Sequence, residues 1–252
     1  MGKIIILGSA NAIPDEEHEN ASLFVQAGER NIMVDCGTSP VQRLQRLGLP
    51  LVEVTDLVLT HFHPDHISNA PLLLMDMWLL GRKTPLSIYG LAYTIERFKA
   101  MMELFEWKRW PDFYPVEFNV VADEDLQLLL DDSALRIFSS PVKHMIPTIG
   151  LRFEFSGPRK VVAYSCDTSP CPQVIDLARN ADILIHEASG EYVGHSSAVQ
   201  AAQAACQSGA GELYLIHYAT EKGLGERLVE EAQRVFDGPV ELARDLMEIK
   251  IQ

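Results

Sequence analysis

The segment Thr60-His61-Phe62-His63-Pro64-Asp65-His66 limits what this chain can become more than any other stretch of it. Three imidazoles and a carboxylate fall within six residues, directly after the apolar run Leu57-Val58-Leu59, which reads as a strand. Pro64 is expected to keep the segment out of a helix. His61 and His63 have the two-residue period that places side chains of an extended segment on one side. Asp65 and His66, after a turn, are expected to face a second point close by. Imidazole and carboxylate are the donors that Zn²⁺, Mn²⁺ and Fe²⁺ accept. With eight His and fifteen Asp in 252 residues, chance alone places H-x-H-x-D-H in roughly 5 of 10,000 such chains. A polar turn with coincidental histidines is the competing explanation.

Composition narrows the class. Hydrophobic residues make up 47% and charged residues 22% of the 252 positions, which fits one globular domain over 1–252 and excludes disorder and collagen-like repeats. The four cysteines, Cys36, Cys166, Cys171 and Cys206, contain no C-x-x-C pair. They read as reduced thiols, which points to a cytoplasmic setting. No apolar run approaches the ~20 residues of a membrane span, and Ile4 to Leu7 is too short for a signal-peptide core. The net charge of −14 leaves no surplus of Lys and Arg for gripping a long polyanion. A small or short anionic substrate is still possible if metal ions supply positive charge locally.

Patterning predicts strands at Lys3–Leu7, Ser22–Ala27, Asn31–Cys36, Leu57–Leu59 and Leu86–Tyr89, with helices at Pro40–Leu47, Pro71–Leu80 and Tyr93 to about Trp107. It then predicts strands at Val116–Val121, Leu126–Leu130, Ala134–Ser139, Ile149–Phe155, Lys160–Ser165, Ile183–Ile185, Leu213–Ile216 and Leu246–Ile251. Helices are expected at Ser196–Ser208 and Gly225–Phe236. Such an order suggests two sheets packed face to face with helices outside. The segment from Tyr93 to Phe118, rich in aromatics and Met, could be core, lid or dimer face.

H-x-H-x-D-H after a strand resembles the signature of the metallo-β-lactamase superfamily, and further motifs resemble its ribonuclease Z-like branch in order. These are Leu7-Gly8-Ser9-Ala10, Val34-Asp35-Cys36-Gly37, Pro141-Val142-Lys143-His144, Tyr164-Ser165-Cys166-Asp167-Thr168, His186-Glu187-Ala188, Gly194-His195-Ser196-Ser197 and Leu215-Ile216-His217-Tyr218. The resemblance implies an α/β fold, the four-layer αββα sandwich, with two divalent metal ions at one edge. Zinc is the first expectation, with Mn²⁺ or Fe²⁺ as alternatives. One ion would take His61, His63 and His144, the other Asp65, His66 and His217, with Asp167 bridging. Asp65, Glu187 and His195 form the expected catalytic set. Metal-activated hydroxide would be the nucleophile, and a Glu187–His195 relay would protonate the leaving oxygen. Asp35 would orient a ligand histidine, and His186 would be buried or support a ligand. The branch also commonly forms homodimers through the helices after the histidine motif.

Each residue also has an ordinary structural explanation. His144 could be a loop histidine, Asp167 a cap for a helix starting near Pro170, and His217 a core histidine. Asp35 could be a turn former and His195 a residue at a helix start, while His18 reads as solvated. The sequence also departs from the branch. His144 and Asp167 stand only 23 positions apart, which leaves no room for the long arm with which processing ribonucleases grip tRNA. The expectation is therefore a phosphodiester hydrolase acting on a cyclic nucleotide or a short nucleic-acid end. A lactone, thioester or sulfate ester hydrolase is the alternative, and a non-hydrolytic metal or redox protein the third.

Overall fold

The computed structural model describes residues 2–157 and 159–251. The first half of the chain forms β1 (Gly2–Gly8), β2 (Ser22–Ala27), β3 (Arg30–Val34), α1 (Pro40–Arg46), β4 (Asp56–Val58), α2 (Pro64–Ile67), α3 (Ala70–Leu79), β5 (Leu86–Leu91), α4 (Ala92–Leu104) and β6 (Val116–Val121). The second half forms β7 (Gln127–Asp131), β8 (Leu135–Val142), β9 (Thr148–Phe155), β10 (Lys160–Tyr164), α5 (Pro172–Leu177), β11 (Ile183–Glu187), α6 (Ala198–Ser208), β12 (Glu212–Ile216), α7 (Leu224–Gln233), β13 (Val240–Leu242) and β14 (Glu248–Ile251).

Two seven-stranded sheets result, in the orders β14-β1-β2-β3-β4-β5-β6 and β13-β12-β11-β10-β9-β8-β7. Strands β3 to β6 are parallel neighbours, as are β10 to β13, while the hairpin ends of both sheets are antiparallel. Side chains sort by the two-residue period. In β1, Ile4 and Ile6 enter the core between the sheets, while Ile5 and Leu7 enter the core under α1, α3 and α4. In β10, Val162 and Tyr164 face the inter-sheet core and Ala163 faces the helices of the second half. Strands buried on both faces in this way demand helices outside both sheets. The architecture is the expected αββα sandwich.

Several local expectations change. Pro64 does not exclude a helix: it sits at the first position of α2, where its missing N–H leaves no hydrogen bond unmade. The helix after Asp167 begins at Pro172, with Cys171 before it and no side-chain cap, so Asp167 is not a helix cap. The predicted helix from Tyr93 ends at Leu104 and is followed by a separate 3-10 turn at Trp107–Arg109. The three-residue strand β13 is too short to show a period. Within the aromatic segment, Phe98, Met102 and Tyr114 are buried in the core on the outer side of the first sheet. Trp107, Trp110, Phe113 and Phe118 pack against that core, and the Trp110 ring stacks on Trp78 at 5.4 Å.

The outer core of the second sheet is built largely from alanine. Ala198, Ala201, Ala202 and Ala205 of α6 are all fully buried, and the helix starts with a capping box between Ser197 and Gln200. Small side chains let α6 lie close to β11 and β12. Adding three carbons at Ala202 has no space to fill, so Ala202→Leu is expected to lower the unfolding free energy by ~1–3 kcal/mol. Urea titration would show this as an earlier midpoint at unchanged slope.

Candidate metal centre

The candidate residues lie at the carboxyl ends of strands. Asp35 follows β3, His61 to His66 follow β4, His144 follows β8, Asp167 follows β10, Glu187 ends β11 and His217 follows β12. Three non-glycine residues at these ends, Asp35, Cys166 and His217, have φ of 62°, 52° and 54°. That left-handed conformation turns the chain sharply just past each strand and is rare for such residues. Gly37 allows a further close approach: a Cβ there would stand 1.6 Å from the Asp65 carbonyl oxygen. The turn after β3 and the first turn of α2 can therefore touch backbone to backbone.

Two donor clusters form. His61, His63, His144 and Asp167 bring their ligand atoms within 4.8 Å of one another, as do Asp65, His66, Asp167 and His217. His63 Nδ1 lies 3.1 Å from His61 Nε2 and 3.0 Å from His144 Nε2. Asp167 Oδ2 is shared: it lies 3.4 Å from both His66 Nε2 and His217 Nε2, 3.8 Å from His61 Nε2 and 3.9 Å from His144 Nε2. The Oδ2 atom of Asp65 stands 3.4 Å from His217 Nε2 and 3.6 Å from His66 Nε2.

These residues fit a pair of cations. His66 Nε2 and Asp167 Oδ1 are buried, and neither finds a hydrogen-bond partner among the described residues. An unsatisfied buried polar atom costs roughly 1–3 kcal/mol. Converging lone pairs on imidazole and carboxylate lack a positive partner, and a divalent ion supplies one. The titration behaviour carries the same demand. Burial alone would lower the pKa of His66, but the Asp167 and Asp35 carboxylates outweigh it and hold it well above the imidazole range. Burial would raise Asp167, yet His217 and His66 hold it well below the carboxylate range. His61 is pushed well down by burial and by the neighbouring His66.

The far side of four of the five clustered rings, all but His63, is tied down. His66 Nδ1–H donates to Asp35 Oδ2 at 2.8 Å, and Asp35 also accepts from the Thr60 hydroxyl at 2.7 Å and the Thr60 N–H at 2.8 Å. His61 Nδ1–H donates to Thr60 Oγ1 at 3.0 Å, so Asp35 orients His66 directly and His61 through Thr60. His144 Nδ1–H donates to the Gly194 carbonyl at 2.7 Å, and His217 Nδ1–H to Ser189 Oγ at 2.7 Å. Each bond fixes the tautomer that turns Nε2 toward the site. Sequence reasoning reached Asp35 but missed the roles of Thr60, Ser189 and the Gly194 carbonyl.

The pair Glu187 and His195 also meets. The buried Glu187 carboxylate accepts from His195 Nδ1–H at 3.1 Å and from the N–H groups of Thr168, Ser189 and Ser196. His195 is half-buried beside His144 and His217, with ring centroids 5.0 and 5.7 Å away. Two histidines belong neither to these donor clusters nor to the Glu187–His195 pair. His186 is buried, with its ring on the Glu187 carbonyl, and His18 pairs with Asp15 at 2.9 Å. A cavity of about 470 Å³ opens onto His63, Asp65, Asp167, His195 and His217. A larger one of about 630 Å³ lies between α7 and residues 240–247 but gathers no imidazole, so the chemistry belongs to the smaller.

Loss of the Asp35 carboxylate frees two rings at once. Asp35→Ala is expected to weaken metal binding ~10–100-fold, measured by chelator competition, while circular dichroism stays near wild type.

Comparison with known proteins identifies the family and the fold. The family model "Beta-lactamase superfamily domain" matches residues 30–218. "Ribonuclease Z" of Mycobacterium marinum is 29% identical over 279 aligned positions, spanning 100% of this chain and 99% of that protein. The metallo-beta-lactamase fold protein YhfI from Bacillus subtilis superposes with a TM-score of 0.84 at 24% identity, covering 98% of each chain. The short form of human tRNase Z superposes with a TM-score of 0.79 at 22% identity, covering 99% of each. With the family model spanning most of its length, from β3 to just past β12, the chain belongs to the beta-lactamase superfamily.

Proposed function

We propose that this protein is a metal-dependent phosphodiesterase whose two cations, zinc in the first instance, are held by His61, His63 and His144 on one side and Asp65, His66 and His217 on the other, with Asp167 between them. The observation that carries the reading is that His195, held from behind by the buried Glu187, lines the same cavity as His63, Asp65, Asp167 and His217 of the donor clusters. Bound cations would supply charge for a phosphoryl oxygen and make water acidic enough to attack at neutral pH.

The remaining work falls to the chain. Asp65 faces the cavity and helps orient the attack. His195, with Nδ1–H held by Glu187, presents its other ring nitrogen and donates a proton to the departing alkoxide. Burial would lower the pKa of His195, but the hydrogen bond and charge of Glu187 outweigh it and raise it. Glu187 thus favours the imidazolium form of His195. Thioester and aryl sulfate hydrolysis release better leaving groups and do not need this acid, which favours the diester reading over those two, while a lactone also expels an alkoxide and is separated by the substrate test below.

The interval between His144 and Asp167 is taken up by the strands β9 and β10, and among the described residues no Lys or Arg lines the cavity. A small or short diester suits this better than a long polyanion. The face of α3 leaves Leu72 and Leu79 exposed, with Leu80 just beyond, which suits a homodimer contact. Four free cysteines suit a cytoplasmic setting, and no helix among the described residues is long and apolar enough to cross a membrane.

Metal-reconstituted protein, offered bis(p-nitrophenyl) phosphate, a lactone, a thioester and an aryl sulfate, should turn over the phosphodiester in preference. Selective lactone or thioester hydrolysis would overturn the reading. His195→Ala should slow cleavage of a dinucleotide ~10²–10⁴-fold at unchanged metal content. It should slow bis(p-nitrophenyl) phosphate far less, because nitrophenolate departs unprotonated. Acid catalysis needs the protonated ring, so activity is lost as pH rises through the pKa of His195. Glu187→Gln removes the group that raises it, and the alkaline limb of the pH–rate profile should move to lower pH.

A further inference from the structure

Part of the lining of the cavity is apolar and exposed. Tyr192 is 70% exposed, Val193 83% and Met145 58%, and all three line the same cavity as His195 and Asp167. Exposed apolar side chains around a polar reaction site mark where a ligand's uncharged part rests. The position of Tyr192 is built into the loop. Its N–H donates to the Gly190 carbonyl at 2.9 Å, and its own carbonyl accepts from the His195 N–H at 3.1 Å. A Cβ on Gly190, whose φ is 122°, would stand 2.8 Å from the Tyr192 ring, so the ring lies against bare backbone and its other side faces outward.

Resting on the phosphodiesterase reading, we propose that Tyr192 is a specificity-determining residue: with Val193 and Met145 it forms a platform on which a planar nucleobase of the diester substrate stacks. Charge and shape favour this occupant. Among the described residues no Lys or Arg lines the cavity, so a second phosphate would find no partner there beyond the metal centre. An alkyl chain gains from enclosure, which an open wall does not give. A flat ring needs only an aromatic face, and base–aromatic stacking tolerates an open site. The segment from Ser189 to Ser196 then carries both the proton donor and the ring platform, so seating the base and placing His195 are properties of one loop.

The test compares a dinucleoside monophosphate with the same sugar–phosphate diester lacking its bases, both cleaved to alkoxide products and followed by chromatography. Wild type should prefer the base-bearing diester in kcat/KM by roughly tenfold. Tyr192→Ala and Tyr192→Leu should bring that ratio close to one, while Tyr192→Phe should keep it. Calorimetry with thymidine monophosphate against deoxyribose 5-phosphate should show the same ratio in affinity, independent of turnover. A ratio of one in wild type, or a ratio retained in Tyr192→Ala or Tyr192→Leu, overturns the platform while leaving the phosphodiesterase intact. Cleavage of neither diester by the metal-loaded protein overturns the phosphodiesterase reading and the platform with it.

Discussion

Asp35 holds two imidazoles at once, and the rest of the site depends on that bond. Its carboxylate takes the Nδ1–H of His66 and, through the Thr60 hydroxyl, governs His61. Lone pairs that converge on one point repel one another, and rings anchored from behind, as His61, His66, His144 and His217 are, stay aimed against that repulsion. The anchor is itself held in an uncommon backbone shape, φ 62°, and Gly37 two residues later permits the backbone contact with Asp65 that brings α2 beside it. A six-residue motif becomes a pair of donor clusters because a turn some thirty residues earlier in the chain is folded against it.

Neither half of the molecule contains a full donor set. The first sheet and its loops contribute His61, His63, Asp65 and His66, and the second contributes His144, Asp167, His217 and the Glu187–His195 pair. The inter-sheet core, with Ile4, Val34 and Val58 on one side and Phe153, Tyr164 and Ile216 on the other, sets how these two groups meet. Strands that end at the same edge deliver their next residue to the same place. The left-handed residues Asp35, Cys166 and His217 stop the chain from carrying on past it. Cys166 is notable because it occupies the position before the shared Asp167, is fully buried, and puts its thiol 3.1 Å from Thr60 Oγ1. The backbone strain there persists because the surrounding core and the Thr60 contact hold it.

How much of this could be read beforehand follows from locality. The histidine motif was legible because its donors are adjacent in sequence, and strands of five or more residues with a clear period were found within a residue or two, except that β8 runs three residues past the expected Ser139 to Val142. The two-sheet sandwich followed from their order and from the motifs around them. Pro64 misled because the same ring that breaks a helix interior starts a helix well, and the two cases differ only in what precedes it. Strand β13 has three residues and no readable alternation. The anchors behind the rings were hidden for another reason. The carbonyl of Gly194 leaves no mark in a sequence, and Ser189 acts across 28 residues on His217. Asp35 was the exception, since its motif was complete.

Charge ties the centre to the whole chain. The protein carries −14, and four carboxylates, Asp35, Asp65, Asp167 and Glu187, sit in or directly behind the site. An anionic substrate approaching such a surface is repelled unless positive charge waits at the cavity floor, and among the described residues no lysine or arginine lines that cavity. Two divalent ions would offset the four carboxylates and leave the imidazoles neutral to bind them. The attraction felt by a phosphate would then be confined to the few ångströms around the ions and screened by salt beyond about 10 Å. A site so arranged holds one phosphate at a fixed point and must find the rest of its affinity in uncharged contacts. Those are what the exposed rim of Met145, Tyr192 and Val193 offers.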